Sequence, residues 1–81
     1  MEVNGYRIEP GANLTSANLK GADLGWANLT SAKLGDAMLA GANLEGANLR
    51  GADLQGVDLT NANLTKAKLA GATMPDGTIH D

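Results

Sequence analysis

The 81-residue sequence has no cysteine and no phenylalanine, one histidine, one tryptophan, one tyrosine and two prolines. Without cysteine there is no disulfide framework, no thiolate chemistry and no Cys-based metal site. The single histidine, His80, has no second His or Cys to share a metal, so it reads as part of a solvated tail with Asp81. No apolar stretch approaches the length that crosses a bilayer, and no membrane partner is expected. The start, Met1 to Arg7, lacks the basic residues and apolar core of a signal peptide, which makes a soluble cytoplasmic protein the expectation. A Ser-His-Asp set, paired buried carboxylates and a phosphate-cradling loop are also missing. The expectation is a non-enzyme without a cofactor.

Charge of one sign is scarce as well. The net charge is −3, but within residues 12–74 five cations (Lys20, Lys33, Arg50, Lys66, Lys68) balance five anions (Asp23, Asp36, Glu45, Asp53, Asp58). The excess acid lies outside, in Glu2, Glu9, Asp76 and Asp81, offset by Arg7. A neutral array has no basic stripe for phosphates, so no nucleic-acid partner is expected. Nor does it carry the acidic lattice of a protein that imitates DNA.

What the chain does have is a register. From Ala12 it repeats Ala-(Asn/Asp)-Leu-x-x without insertion or deletion. Leu14, Leu19, Leu24, Leu29, Leu34, Leu39, Leu44, Leu49, Leu54, Leu59, Leu64 and Leu69 hold the central slot, and Met74 takes the next one. Alanine precedes each by two positions, with Val57 the only substitute. Sixteen Leu, Ile and Val residues are few for a globular chain, yet their periodicity argues against disorder.

A period of five decides the architecture. On an α-helix, five residues advance about 500°, which would scatter the leucines around the whole circumference. On a continuous strand an odd period sends alternate leucines to opposite faces. Ala and Leu within one repeat are two apart and point the same way. The conflict disappears if the chain turns a corner after each repeat. The second residue after Leu supports this, being Gly at 21, 41, 46, 51, 56 and 71 and Ser, Asp or Asn at 16, 31, 36, 61 and 76. Such a chain winds into a solenoid with Leu and Ala inside and rungs about 4.8 Å apart.

These in-register repeats resemble the pentapeptide-repeat family over about three quarters of the chain. The resemblance implies an all-β, right-handed quadrilateral parallel β-helix with four pentapeptides per coil and about three coils. The entry at Pro10-Gly11 and the ending Ala72 to His80 also resemble cyanobacterial members.

Three regions are expected: an N-terminal cap at 1–11, the β-helix at 12–74, and a turn and tail at 75–81. Ile8, with Tyr6, is placed over one end of the core. Ile79 falls in the leucine slot after Met74, so the inward pattern is expected to run one step further. Four-fold winding stacks residues twenty apart, which sets Lys33 against Asp53 and aligns Asn28 with Asn48 and Asn43 with Asn63. The Asn-x-Thr sequences at Asn13, Asn28 and Asn63 are by-products of the repeat.

Function is sought among the residues that break the rule. Trp26 occupies a corner otherwise given mainly to small or polar residues and should face outward near Gly46 and Lys66. It is a candidate contact residue, and the alternatives are a ring lying flat over Gly46 or stacked on the Lys66 stem. Met38 takes a slot usually held by Asn or Asp, on a different face. The interaction-surface candidates are therefore Trp26, Met38 and Lys66. The expected role is a structural or protein–protein interaction module with an unidentified protein partner, and the last coil offers an edge for end-to-end stacking of a second copy. The alternatives are a DNA-mimicking inhibitor of the topoisomerase gyrase, disfavoured by the neutral repeats, and a regulatory or targeting segment of a larger protein.

Overall fold

The computed structural model describes residues 1–81. The rung centred on Asn43 shows how each pentapeptide is held. Its backbone pairs in parallel with Asp23 on one side and Asn63 on the other. Asn43 N–H donates to Ala22 O at 2.9 Å, Leu44 N–H to Asn63 O at 2.8 Å and Gly46 N–H to Thr65 O at 2.8 Å. Ala47 N–H donates to Leu44 O at 3.0 Å and closes the corner. The fifth amide, that of Glu45, is taken by Asn43 Oδ1 at 3.0 Å. That last bond explains the Asn or Asp before nine of the twelve leucines, with Lys33, Met38 and Lys68 in the other three places. The Asn or Asp side chain caps the one amide in the repeat that has no backbone partner. Asn13, Asn28, Asp53 and Asp58 make the same bond to the residue two positions on. Thr73 lacks a carbonyl for the purpose, but the residue two positions on is Pro75, which has no N–H to cap.

Every corner from Ser16 to Gly71 has its second residue at positive φ, between 59° and 62° for Ser16, Trp26, Ser31, Asp36, Asn61 and Lys66. One left-handed residue in the second central position, with the bond from Ala N–H back to Leu O, is the signature of a type II turn. The same turn at each corner resets the strand phase, so Ala and Leu always return inward. The result is the right-handed, four-sided parallel β-helix, with bridges linking residues twenty apart from Asn13↔Lys33 to Asp53↔Thr73. Leu19 through Leu54 are fully buried, as are Ala32, Ala47, Ala52 and Ala72, and no polar residue is buried. The alternation of large and small inward side chains fills a narrow interior, and removing one leucine leaves a void its neighbours cannot reach.

The two ends differ. At the N-terminal end β1 (Glu2–Val3) and β2 (Tyr6–Arg7) form an antiparallel hairpin. Asn4 and Gly5 both have positive φ, as a type I′ turn requires. Ile8 is buried, Val3 and Tyr6 pack partly buried against the core, and Tyr6 Oη accepts from Asn18 N–H at 3.4 Å. At the other end Leu59, Leu64, Leu69 and Met74 are only partly buried. Within residues 1–81, the N–H groups of Leu59, Asn61, Leu64, Lys66 and Leu69 and the carbonyls of Val57, Ala62 and Ala67 have no backbone partner.

The tail departs from the sequence expectation. Ile79 does not continue the inward column; it is 63% exposed. After Met74 the chain reverses through Pro75-Asp76-Gly77 and runs antiparallel to the last rung. Met74 N–H donates to Thr78 O at 2.6 Å, His80 N–H to Ala72 O at 2.8 Å and Gly71 N–H to His80 O at 2.8 Å. This sets Ile79 opposite Thr73. Directly opposed residues share a face, and Thr73 stands in an outward slot, so Ile79 points outward too. His80 is thus tied by its backbone to one edge of the last coil rather than free in solvent.

Candidate functional site

Residues 26, 46 and 66 occupy one corner in three successive coils. Trp26 is placed there by its own N–H donating to Glu45 O at 2.7 Å and by the Ala27 N–H bond to Leu24 O at 3.1 Å. Its φ is 62°, a conformation that costs a residue with a Cβ about 1–2 kcal/mol. The ring lies flat over Gly46. A Cβ on Gly46 would meet Cε3, Cδ2 and Cζ3 of the indole at 2.2–2.4 Å, so no side chain fits beneath it. Gly46 is consequently the one buried corner residue, while the indole itself stays 67% exposed. Of the two packing alternatives for Trp26, the structure shows the stack on Gly46. Lys66 is exposed and lies one rung beyond Gly46.

Met38 is not brought to this corner. It sits between Asn18 and Asp58 on the opposite side of the helix, half-buried. The three sequence candidates therefore divide into a Trp26–Lys66 corner and an isolated Met38.

Charge follows the winding. The side built from residues 27–30, 47–50 and 67–70 presents Arg50 and Lys68, with Lys66 on its leading corner, Glu45 beside that corner, and Asp81 following His80 at the trailing corner by Gly71. The opposite side, built from residues 17–20, 37–40 and 57–60, presents Asp58, with Asp36 and Asp76 on its leading corner and Lys20 at its far end. Asp36 repeats the Trp26 arrangement in polar form, its Oδ1 occupying the space above Gly56. Thr60 donates to Asp58 through Oγ1 at 2.6 Å and through N–H at 3.0 Å, and these bonds hold the Asp58 carboxyl below its ordinary range. Thr78 does the same for Asp76. On a neighbouring side, Asn43 Nδ2 donates to Asp23 Oδ1 at 3.2 Å and Asn63 Nδ2 to Asn43 Oδ1 at 3.5 Å, a short ladder across three coils. The other aligned columns do not form such ladders: the Asp53 carboxylate accepts from Gln55 N–H, and Asn28 and Asn48 each bond within their own rung.

The interior is filled, no concave pocket opens on the surface, and no three His, Cys, Asp or Glu side chains converge as a metal site. No helix is long and apolar enough to cross a membrane. The misfit of Trp26 is visible in the sequence, but the charge division is not. That division becomes visible only when residues are sorted by position around the twenty-residue coil.

This architecture defines a class, the four-sided β-solenoids built from five-residue units. The family model described as pentapeptide repeats (8 copies) matches residues 11–46 and 42–76, and the chain belongs to the pentapeptide-repeat family. Among solved structures it is similar to the pentapeptide-repeat protein Rfr23 from the cyanobacterium Cyanothece 51142. Identity is 42% over 88% of this chain and 45% of that one, with a TM-score of 0.73. It also matches HetL from Nostoc sp. strain PCC 7120, a protein involved in heterocyst differentiation regulation, with 39% identity over 84% of this chain and 43% of that one, TM-score 0.36. A third match is alr5209 from Nostoc PCC 7120, with 40% identity over 79% of this chain and 62% of that one, TM-score 0.38. This chain spans about half the length of these solved proteins. No curated protein matches it in sequence.

Proposed function

We propose that this chain is a non-catalytic protein-interaction module whose β-helix holds a contact surface rigid, and that Trp26 anchors that surface. One observation carries the reading: a tryptophan at a positive-φ corner, 67% exposed, seated on a glycine that leaves no room for anything else. Exposed, pre-positioned tryptophan supplies large contact area with little side-chain entropy left to lose, which is why it is frequent at binding hot spots. The test is affinity capture from the native source with the wild-type chain beside Trp26→Ser. The reading expects a protein retained by the first and lost by the second while both keep the same far-UV circular dichroism. Identical retention by both chains, or retention of nothing, would sink it.

A second contact is favoured by the unpaired groups on the last coil. The 78–80 segment shows that this edge accepts an antiparallel strand, but it serves only the side at Gly71–Met74. The three remaining sides offer Ala62 O beside Leu64 N–H, and equivalents, in the pattern that two copies related by a two-fold axis can satisfy reciprocally. The same segment, one rung proud of the coil, obstructs flush stacking. End-to-end association of two copies therefore requires it to move aside, and light scattering on variants that release it tests this.

A further inference from the structure

The division of charge around the helix narrows the chemistry of the partner, an inference that rests on the reading of Trp26 as a contact residue. We propose that the Trp26 corner and the adjoining side carrying Arg50 and Lys68 dock an extended acidic segment of a partner polypeptide. The indole takes an apolar or prolyl side chain of that segment, and Lys66, Lys68 and Arg50 take its carboxylates.

Three features of the surface converge on that ligand. The cations are gathered here, three against Glu45 and, beyond the trailing corner, Asp81, while three carboxylates against Lys20 occupy the opposite side. The surface is also rich in donors. Asn28 Oδ1 is occupied by Thr30, and Asn48 Oδ1 by Arg50 N–H, so each amide has its Nδ2 hydrogens left to offer outward. Spacing fits as well. Trp26 and Lys66 are two rungs apart, roughly 9–10 Å, which an extended chain covers in about three residues. In the polyproline II form that a Pro-rich segment favours, residues three apart share a face about 9 Å apart, so a prolyl ring can meet the indole and a glutamate three positions on can meet a lysine. The ring needs no rearrangement, because Gly46 already fixes it. A polypeptide is favoured over a nucleic acid because three cations interrupted by a carboxylate make a poor phosphate track, and one aromatic makes a poor stacking platform.

Trp26 is the sole tryptophan, so its emission reports on this surface directly. In the free protein, iodide should quench it more strongly than caesium at equal ionic strength when each is normalised to its quenching of N-acetyltryptophanamide; the reverse order would overturn the local field on which the proposal stands. A ten-residue peptide alternating Glu and Pro is then titrated by fluorescence and calorimetry, beside a Lys–Pro peptide and oligo(dT). The Glu–Pro peptide should bind and shift the emission to the blue. Lys66→Gln with Lys68→Gln should weaken it at least tenfold, and Trp26→Ser should weaken it similarly by calorimetry. Lys20→Gln with Lys33→Gln, which removes the same charge from other sides, should change affinity less than twofold. Equal loss in both double variants, equal binding of the Lys–Pro peptide, or no binding of the Glu–Pro peptide overturns the proposal, as does tighter binding of oligo(dT). If a partner retained through Trp26 is captured from the native source but the Glu–Pro peptide does not bind, the interaction-module reading stands and this inference alone falls.

Discussion

Replacing Gly46 by alanine separates the two forces that meet at the Trp26 corner. The first is backbone strain: φ at Gly46 is 66°, and an alanine there costs about 1–2 kcal/mol. The second is displacement of the indole, because the new Cβ would arrive 2.2–2.4 Å from three ring carbons. Two bodies that close cannot coexist, and a rigid bicyclic ring must swing away as a unit. Trp26 is 67% exposed, so about a third of its side-chain surface is covered. For an aromatic of this size that is roughly 50–80 Å², worth about 1–2 kcal/mol at 25 cal/mol per Å². Gly46→Ala should therefore cost about 2–4 kcal/mol in the native background but only the strain, about 1–2 kcal/mol, in a Trp26→Gly background. Urea unfolding followed by far-UV circular dichroism on the four proteins closes the double-mutant cycle. A coupling near zero would refute the stacking of the ring on Gly46.

The same geometry sets three further outcomes. Leu44→Ala should cost about 2–5 kcal/mol, and Leu64→Ala clearly less, because Leu44 is sealed between coils while Leu64 is partly exposed on the last one; equal losses in denaturant would contradict that difference. Asp58 and Asp76 have folded-state pKa values held below the ordinary 3.8 by their threonine donors, so their contribution to stability is complete above that value and is lost as pH falls through the lower folded value. The urea midpoint should therefore drop below about pH 4, and Asp58→Asn, which keeps the acceptor for Thr60 N–H, should flatten part of that drop; an unchanged slope would assign it elsewhere. His80→Pro removes the donor to Ala72 O and should release the 78–80 segment, shifting the mass seen by light scattering toward a dimer, with Leu64→Lys restoring the monomer; a His80→Pro protein that stays monomeric at millimolar concentration would rule out end-to-end stacking.

The winding was legible in the sequence because one rule recurs in every rung. Ala and Leu two apart must share a face, a period of five forbids both a straight strand and a helix, and Gly, Ser, Asp and Asn mark the corner. The role of the Asn or Asp before Leu was less plain. Ladders between coils were the natural expectation, and Asp23–Asn43–Asn63 does form one, but the recurring task is local, capping the second amide after it. Ile79 misled for a definite reason. Counting in fives assumes that the chain keeps turning the same way, and at Pro75-Asp76-Gly77 it reverses into an antiparallel pairing that turns the slot outward. Trp26 stood out by its misfit; that its ring lies on Gly46 and not on Lys66 depended on a distance the sequence does not carry.

Taken alone, the sequence determined the repeat, its inward residues, its corners and the family those features resemble. Each of these rests on interactions within five residues, where covalent geometry and side-chain size leave few choices. Tertiary structure decided what depends on twenty-residue neighbours. It stacked Trp26 on Gly46, gathered Arg50, Lys66 and Lys68 onto one side and Asp36, Asp58 and Asp76 onto the other, and sent the tail back along one edge. Contacts between coils are set by how the solenoid closes, so they belong to the assembled helix and not to any single repeat.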